Sequence, residues 1–274
     1  MTLEFTKMHG LGNDFVVLDG VSAAVRVDTA LLRFLGDRYR GVGCDQILLV
    51  EPAGDAGDFT YRIFNADGGE VEQCGNGARC VARFVRDRGL SDADRITFST
   101  LGGLIHTRLL ADGRVAVDMG VPRFEPAEIP FEAPVRADAY PLEAGGETHE
   151  IGAVSMGNPH AVLRVEDLVA APVRELGPVI EHHERFPRRA NVGFMRVIDR
   201  ERIALRVWER GAGETAACGT GACGAVAVGR LRGWLDERVT VALPGGELVI
   251  DWAGADNPLW MTGVAQTAFH GEIA

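Results

Sequence analysis

FNADGGEVEQCGNGARC, residues 64–80, and WERGAGETAACGTGAC, residues 208–223, are two versions of one stretch. At a constant offset of 144 (218 − 74) they align Phe64 with Trp208, Gly69 with Gly213, Glu70 with Glu214, Cys74 with Cys218, Gly75 with Gly219, Gly77 with Gly221 and Ala78 with Ala222. Upstream the alignment continues with a one-residue drift, bringing Gly12-Asn13 onto Gly157-Asn158, Val17-Leu18 onto Val162-Leu163 and Gln46 onto Asn191. Half a chain is too long a period for a solenoid, whose units run to about 20–50 residues. It predicts two related lobes facing each other across a pseudo-two-fold axis, each offering one cysteine to a shared cleft.

Length agrees, because 274 residues correspond to about two domains of ordinary size. With 46% hydrophobic and 24% charged residues the chain sits in the normal globular range, so disorder is not indicated. A net charge of −11 gives no basic face for nucleic acid or an anionic membrane. The first ten residues lack the apolar core of a signal peptide, and no apolar run approaches the ~18 residues of a membrane-spanning helix. A cytoplasmic protein with neither a nucleic-acid nor a membrane partner is expected. The five cysteines are an odd number, and in a reducing compartment they do not form a disulfide framework. No CxxC pair and no HExxH motif occurs, so no metal site is expected.

Periodicity predicts short strands at 5–8 and 15–18 around MHGLGND, a helix at 28–41, strands at 46–51 and 59–65, and a helix at 75–89 with Cys74 at its entrance and Gly89 as its stop. Strands at 95–100, 104–110 and 114–119 close the first lobe. Pro122, Pro126, Pro130, Pro134 and Pro141 deny 121–141 a regular helix or central strand and mark the domain boundary. The second lobe restarts at Ile151, turns at SMGNPH, and continues through strands at 161–165, 192–198 and 203–208. Its helix, 219–233, is small or apolar all round in its first half and should be enclosed by protein. Strands at 239–242, 247–252 and 259–264 follow, and the tail returns to the first lobe. The expected fold is α+β, with 1–118 plus 265–274 as one lobe and 119–264 as the other. Each is a curled, mostly antiparallel sheet around a central helix.

A cysteine at a helix entrance feels the positive end of the dipole and the unpaired N–H groups there, which lowers its pKa from about 8.5. Gly75, Gly77, Gly219 and Gly221 clear side chains from the two turns, so that backbone N–H groups can approach a bound carboxylate. Two such cysteines on opposite sides of one carbon form a base and acid pair: one removes the α-proton, the other returns a proton to the opposite face. Inversion exchanges the roles of the two faces, which explains the duplication. Pyridoxal phosphate, the usual device for stabilising an amino-acid carbanion, requires a lysine. Lys7 is the only one, in a short N-terminal segment. No cofactor is therefore expected, and the helix ends must stabilise the developing charge.

The motifs GNDF (12–15), GVGCDQ (41–46), FNADGGEVEQCGNGARC, MGNPH (156–160), NVGF (191–194) and WERGAGETAACGTGAC resemble, in order and over nearly the whole chain, those of diaminopimelate epimerases. The resemblance implies a cofactor-independent isomerase that interconverts LL- and meso-2,6-diaminopimelate in lysine and peptidoglycan precursor synthesis, and a homodimer. It places the acid/base pair at Cys74 and Cys218, with Cys218 accepting and Cys74 donating in the LL-to-meso direction. Substrate-binding positions fall on Asn13, Gln46, Asn65, Gly75, Asn76, Asn158, Asn191, Glu209, Arg210, Gly219 and Thr220. His160 and Glu209 are implied to tune the cysteines. The repeat singles out the same charges: where the halves differ, His160 replaces Phe15, Glu209 replaces Asn65 and Arg210 replaces Ala66. Arg210 suits a distal carboxylate, to which a guanidinium can donate two parallel hydrogen bonds.

Plainer readings stand beside these. Cys44, Cys80 and Cys223 read as small buried hydrophobes, the asparagines taken singly as turn residues, His160 as a structural histidine, and Glu70 and Glu214 as turn or capping acids. The spacing of neither a phosphate loop nor a dinucleotide fingerprint is present. Rival functions are a redox protein using a Cys74–Cys218 disulfide, a non-catalytic amino-acid binder, and a proline or hydroxyproline racemase on the same fold. Ligands of the last have no distal zwitterion to occupy Glu209 and Arg210.

Overall fold

The computed structural model describes residues 2–72 and 74–274. The chain divides into two compact units, one running to Asp118 and resuming at Thr262–Ala274, the other Met119–Met261. In the first unit the elements are β1 (Leu3–Gly10), β2 (Asn13–Asp19), α1 (Thr29–Gly36), β3 (Gln46–Pro52), β4 (Phe59–Asn65), β5 (Glu70–Val71), α2 (Gly75–Asp87), β6 (Arg95–Thr100), β7 (Gly103–Leu109) and β8 (Val115–Asp118). The strands run in the order β1-β2-β3-β4-β6-β7-β8, with β5 a short spur on β4. Among the described pairings of these strands, only β2–β3 and β4–β6 are parallel.

Helix α2 packs against β1, β2 and β3 and also against β7 and β8. A helix that touches both ends of one ladder has the sheet curled around it. On the other face α1 covers Val16, Leu18, Ile47 and Leu49, whereas Leu48 reaches the first turn of α2. Strand β3 is apolar on both sides, which is why it reads as the unbroken run ILLV. Helix α1 is capped by Asp28, whose carboxylate accepts the Leu31 N–H at 2.8 Å. It stops at Gly36, short of the predicted 41, because the chain turns back on it: the Gly43 N–H bonds the Leu35 carbonyl at 2.9 Å and Gly43 adopts φ +75°. Gly89, at φ +68°, ends α2 where the sequence places its stop.

The second unit holds β9 (Tyr140–Ala144), β10 (Glu147–Ser155), β11 (Pro159–Arg164), α3 (Val173–Glu181), β12 (Asn191–Asp199), β13 (Arg202–Glu209), β14 (Gly213–Thr215), α4 (Gly219–Leu231), β15 (Arg238–Leu243) and β16 (Gly246–Asp251). Strand β17 (Trp260–Gly263) crosses the boundary, and β18 (Gln266–Ile273) pairs antiparallel with β1. The order β10-β11-β12-β13-β15-β16, with β11–β12 and β13–β15 parallel, reproduces β1-β2-β3-β4-β6-β7 of the first unit. Register repeats as well: Phe15 lies opposite Gln46 as His160 lies opposite Asn191, and Phe64 opposite Glu70 as Trp208 opposite Glu214. The repeat is thus one α+β plan used twice, a mostly antiparallel sheet around a helix. Nine consecutive residues of α4, 221–229, are buried, as its apolar circumference requires.

Helix α3 and strand β9 are among the elements that the sequence reading does not anticipate. Helix α3, the counterpart of α1, lies where no helix is predicted; Pro172 at its N-cap makes no side-chain cap and Pro178 lies inside it. Packing sustains it, through Val173, Leu176 and Ile180 in the core with Phe131, Tyr140 and Phe186. Strand β9 occupies the end of the proline-rich stretch. Among the described pairings it joins only β10, and an edge strand tolerates Pro141.

Candidate active site

Each repeated cysteine is the N-cap of its unit's inner helix. Cys74, with extended backbone, caps α2 and its sulfur accepts the Gly77 N–H at 3.3 Å; Cys218 caps α4 and accepts the Gly221 N–H at 3.4 Å. Sulfur takes the place of the usual Ser or Asp oxygen at this position. Gly75 and Gly219 are the first residues of the two helices. Gly77 and Gly221 have a packing reason that the sequence does not show. A Cβ on Gly77 would collide with the Tyr61 hydroxyl, and one on Gly221 would lie 3.0 Å from Val207 and 3.2 Å from the Cys218 sulfur.

In the first unit Asn13, Cys74 and Asn76 converge. The Cys74 thiol lies 4.0 Å from Asn13 Oδ1, which also accepts from Asn76 Nδ2 at 3.3 Å. Asn13 Nδ2 donates to Asp45 at 2.8 Å, so the amide presents its oxygen to the sulfur. Asp45 is held in turn by Arg38, which also forks onto Asp14 at 2.7 and 3.1 Å. Burial alone would raise the Asp14 pKa, but hydrogen bonds from Arg38 and Lys7 outweigh it and hold the carboxyl at about 2. Lys7 is committed to this network through Asp14 and the Gly43 carbonyl. Gln46 and Asn65 bond each other at 3.0 Å across β3 and β4. Behind Asn76, Arg79 is fully buried and donates to Asn76 Oδ1 at 2.9 Å.

In the second unit Asn158, His160, Asn191, Glu209, Thr220 and Cys218 converge. His160 Nε2 donates to Asn158 Oδ1 at 2.9 Å, Asn158 Nδ2 reaches Thr220 Oγ1 at 3.4 Å, and that hydroxyl lies 3.6 Å from the Cys218 sulfur. A chain of polar groups therefore links the imidazole to the thiol. Burial, reinforced by the nearby Arg210 cation, pulls the His160 pKa down to about 3, so the ring is neutral. Asn191 Oδ1 accepts the Arg210 backbone N–H at 2.9 Å, while the Arg210 guanidinium donates to the Arg188 carbonyl at 3.0 Å. Glu209 accepts a short hydrogen bond from Thr215.

The expectation of a lowered thiol pKa does not hold for Cys218. Burial pushes it well above the ordinary value and the Glu209 carboxylate pushes the same way, against the weaker pull of hydrogen bonds from Thr220 and the Gly221 N–H. The helix entrance contributes as the sequence suggests, but desolvation of a cysteine only 4% exposed is larger. Cys44 and Cys80, both buried, are pushed up to about 11 and about 12 by the same cause, and Cys223 is also buried. Glu70 and Glu214 are neither caps nor turn acids. They pair with Arg62 at 2.8 Å and Arg206 at 2.7 Å, a repeated ion pair across equivalent hairpins. Asp45, Thr215 and Tyr61 escape the sequence reading as supports of these clusters. The latter two were legible as breaks in the repeat, where Thr215 aligns with Val71 and Tyr61 with Leu205. Among the described residues no three His, Cys, Asp or Glu side chains are grouped to hold a metal ion, and no helix is long and apolar enough to cross a membrane.

Solved structures share the fold at low identity. A PhzF-family phenazine biosynthesis protein from Bacillus anthracis matches with TM-score 0.70 at 16% identity, over 100% of this chain and 99% of that one. A probable proline racemase from Agrobacterium radiobacter matches with TM-score 0.70 at 18% identity, over 99% and 93%. Sequence relatives are far nearer. The protein named diaminopimelate epimerase in Thioalkalivibrio sulfidiphilus is 60% identical over 100% of this chain and 99% of its own length, and that of Pseudomonas entomophila is 59% identical over the same shares. The family model for diaminopimelate epimerase matches residues 5–125 and 152–268, one segment for each copy of the repeat. Matched in both halves and alongside relatives from end to end, the chain belongs to the diaminopimelate epimerase family.

Proposed function

We propose that the protein interconverts LL- and meso-2,6-diaminopimelate without a cofactor, with Cys74 and Cys218 as the acid/base pair. The observation that carries this reading is the repeated N-cap cysteine in a chain about 60% identical, end to end, to proteins named for that activity. One sulfur, as thiolate, takes the α-proton while the other, as thiol, delivers a proton to the opposite face; after inversion their protonation states are exchanged. In the LL-to-meso direction Cys218 accepts and Cys74 donates. The N–H groups at the entrances of α2 and α4, Gly75 and Gly219 among them, receive the substrate carboxylate where negative charge develops.

The polar clusters divide the remaining work. Asn13, Gln46, Asn65, Asn76, Asn158, Asn191 and Thr220 supply paired donors and acceptors for a zwitterion. Glu209 and Arg210, which have no charged counterparts in the first unit, face the distal ammonium and carboxylate. Neutral His160 and the Glu209 carboxylate tune Cys218: the first through the Asn158–Thr220 chain, the second by favouring the thiol until a substrate cation offsets its charge. On this reading the enzyme serves lysine and peptidoglycan precursor synthesis in the cytoplasm, as a homodimer. Half-exposed Phe269 on β18, stacked edge-on on Phe5, supports a subunit contact there.

The test is turnover of LL-diaminopimelate in deuterated water. Meso product carrying deuterium at the α-carbon is expected, and Cys74→Ala and Cys218→Ala each abolish it. A wild-type protein that binds the substrate yet exchanges no α-hydrogen is a binder or a redox protein, and the reading fails.

A further inference from the structure

Tyr61 of β4 is fully buried, and its hydroxyl has no hydrogen-bond partner among the described residues. Such a group costs stability, and in a folded protein it calls for an explanation. Its position is specific. The hydroxyl lies where a Cβ on Gly77 would project, at the third residue of α2, and a helical Cα–Cβ bond tilts toward the N-terminus and hence toward the capping residue. The second unit shows what lies in that direction, since a Cβ on Gly221 would stand 3.2 Å from both the Cβ and the sulfur of Cys218. There the residue equivalent to Tyr61 is Leu205, with no polar atom (61 + 144 = 205).

We infer that Tyr61 is a positioning residue for Cys74, its hydroxyl donating a hydrogen bond to the sulfur when that sulfur is a thiolate. As a thiol, Cys74 leans toward Asn13 Oδ1, an acceptor whose orientation Asp45 enforces. A thiolate has no proton to give Asn13 and needs donors instead. The Gly77 N–H is one, already at 3.3 Å, and the rotatable Tyr61 O–H is a further one. No proton is transferred to or from Tyr61. Burial pushes its acidity down and the Cys74 and Cys80 sulfurs push the same way, so it stays a donor throughout. The two units thus favour opposite states, thiolate beside Tyr61 at Cys74 and thiol beside Glu209 at Cys218, the pair of states left after LL-to-meso turnover and required before the reverse reaction.

This inference rests on Cys74 being an acid/base group, but its test needs no substrate. Iodoacetamide is reacted with the intact protein from pH 5 to 10 and the modified sites are mapped after trypsin, which isolates Cys74 in the peptide 63–79. Tyr61→Phe is expected to slow Cys74 alkylation at pH 7 by about tenfold while leaving the limiting rate at high pH unchanged, as loss of a charge-assisted hydrogen bond requires. Its melting temperature should be equal or higher, because an unsatisfied hydroxyl has been removed. An unaltered pH profile in folded Tyr61→Phe, or in Tyr61→Leu built after the second unit, overturns the inference and leaves Tyr61 a packing residue. If the profile shifts but diaminopimelate is not epimerised, the proposed function falls and the Tyr61–Cys74 interaction stands.

Discussion

His160 shows how burial rather than residue type decides a side chain's state. The residue is 1% exposed, and burial with the nearby Arg210 cation lowers its pKa to about 3, far below the roughly 6.5 of an unfolded chain. Below pH 6.5 the unfolded state therefore binds a proton that the folded state refuses, so stability is complete above that pH and falls as pH drops toward 3. Between pH 6.5 and 5 the loss from this residue alone is about 2 kcal/mol. Asp14 has the same sign but a lower window, losing its contribution as pH falls from 3.8 toward about 2. Urea midpoints at pH 7 and pH 5 should accordingly differ more for the wild type than for His160→Gln; equal differences would mean that the ring is not held neutral. Nothing in the SMGNPH motif announces this, because the ring's neutrality follows from burial against α4, where a Cβ on Gly224 would lie 3.4 Å from the imidazole, and from the Arg210 cation.

At the scale of elements, the repeated unit is a strand, a short hairpin and a helix whose first turn presses on that strand. The pressure point is the third residue of the helix, and glycine is demanded there by β4 or β13 rather than by the turn itself. Gly77→Ala should gain helix propensity of about 1 kcal/mol but lose more by overpacking against Tyr61, for a net destabilisation of about 1–2 kcal/mol. Adding Tyr61→Phe removes the obstructing oxygen, so the double variant should recover most of the loss in a denaturant titration. Independent, additive effects of the two substitutions would show that the contact is not the cause. Helices α2 and α4 were legible from spacing and glycine stops. Helix α3 was not, since Pro172 and Pro178 spoil its local signals and only the cluster around Phe131 and Phe186 makes it helical.

On the scale of the whole molecule, the last strand completes the first unit. Strand β18 pairs with β1 from Leu3–Ile273 to His9–Gln266 and lays Gly271 against the ring of Phe5. A chain ending at Gly263 leaves β1 as an exposed edge with Phe5 uncovered. Hydrogen exchange should then accelerate through β1 and β2 while β10–β13 keep their protection. Unchanged exchange in β1 would show that the first unit is complete without its C-terminal strand. The sequence anticipated a returning tail but no pairing partner, because a strand whose residues are mostly exposed carries little apolar alternation to read.

Two cysteine turns at a fixed offset were enough to read a duplicated α+β plan and its cap positions, and motifs spread along the chain carried the family resemblance, because caps, glycines and periodicity are local and repeat along the chain. The charge state of His160, the raised pKa of Cys218, the unpartnered hydroxyl of Tyr61 and the existence of α3 were settled only by tertiary packing. Each depends on which distant groups exclude water or supply a charge, and residues brought together across the fold leave no spacing in the chain from which that can be read.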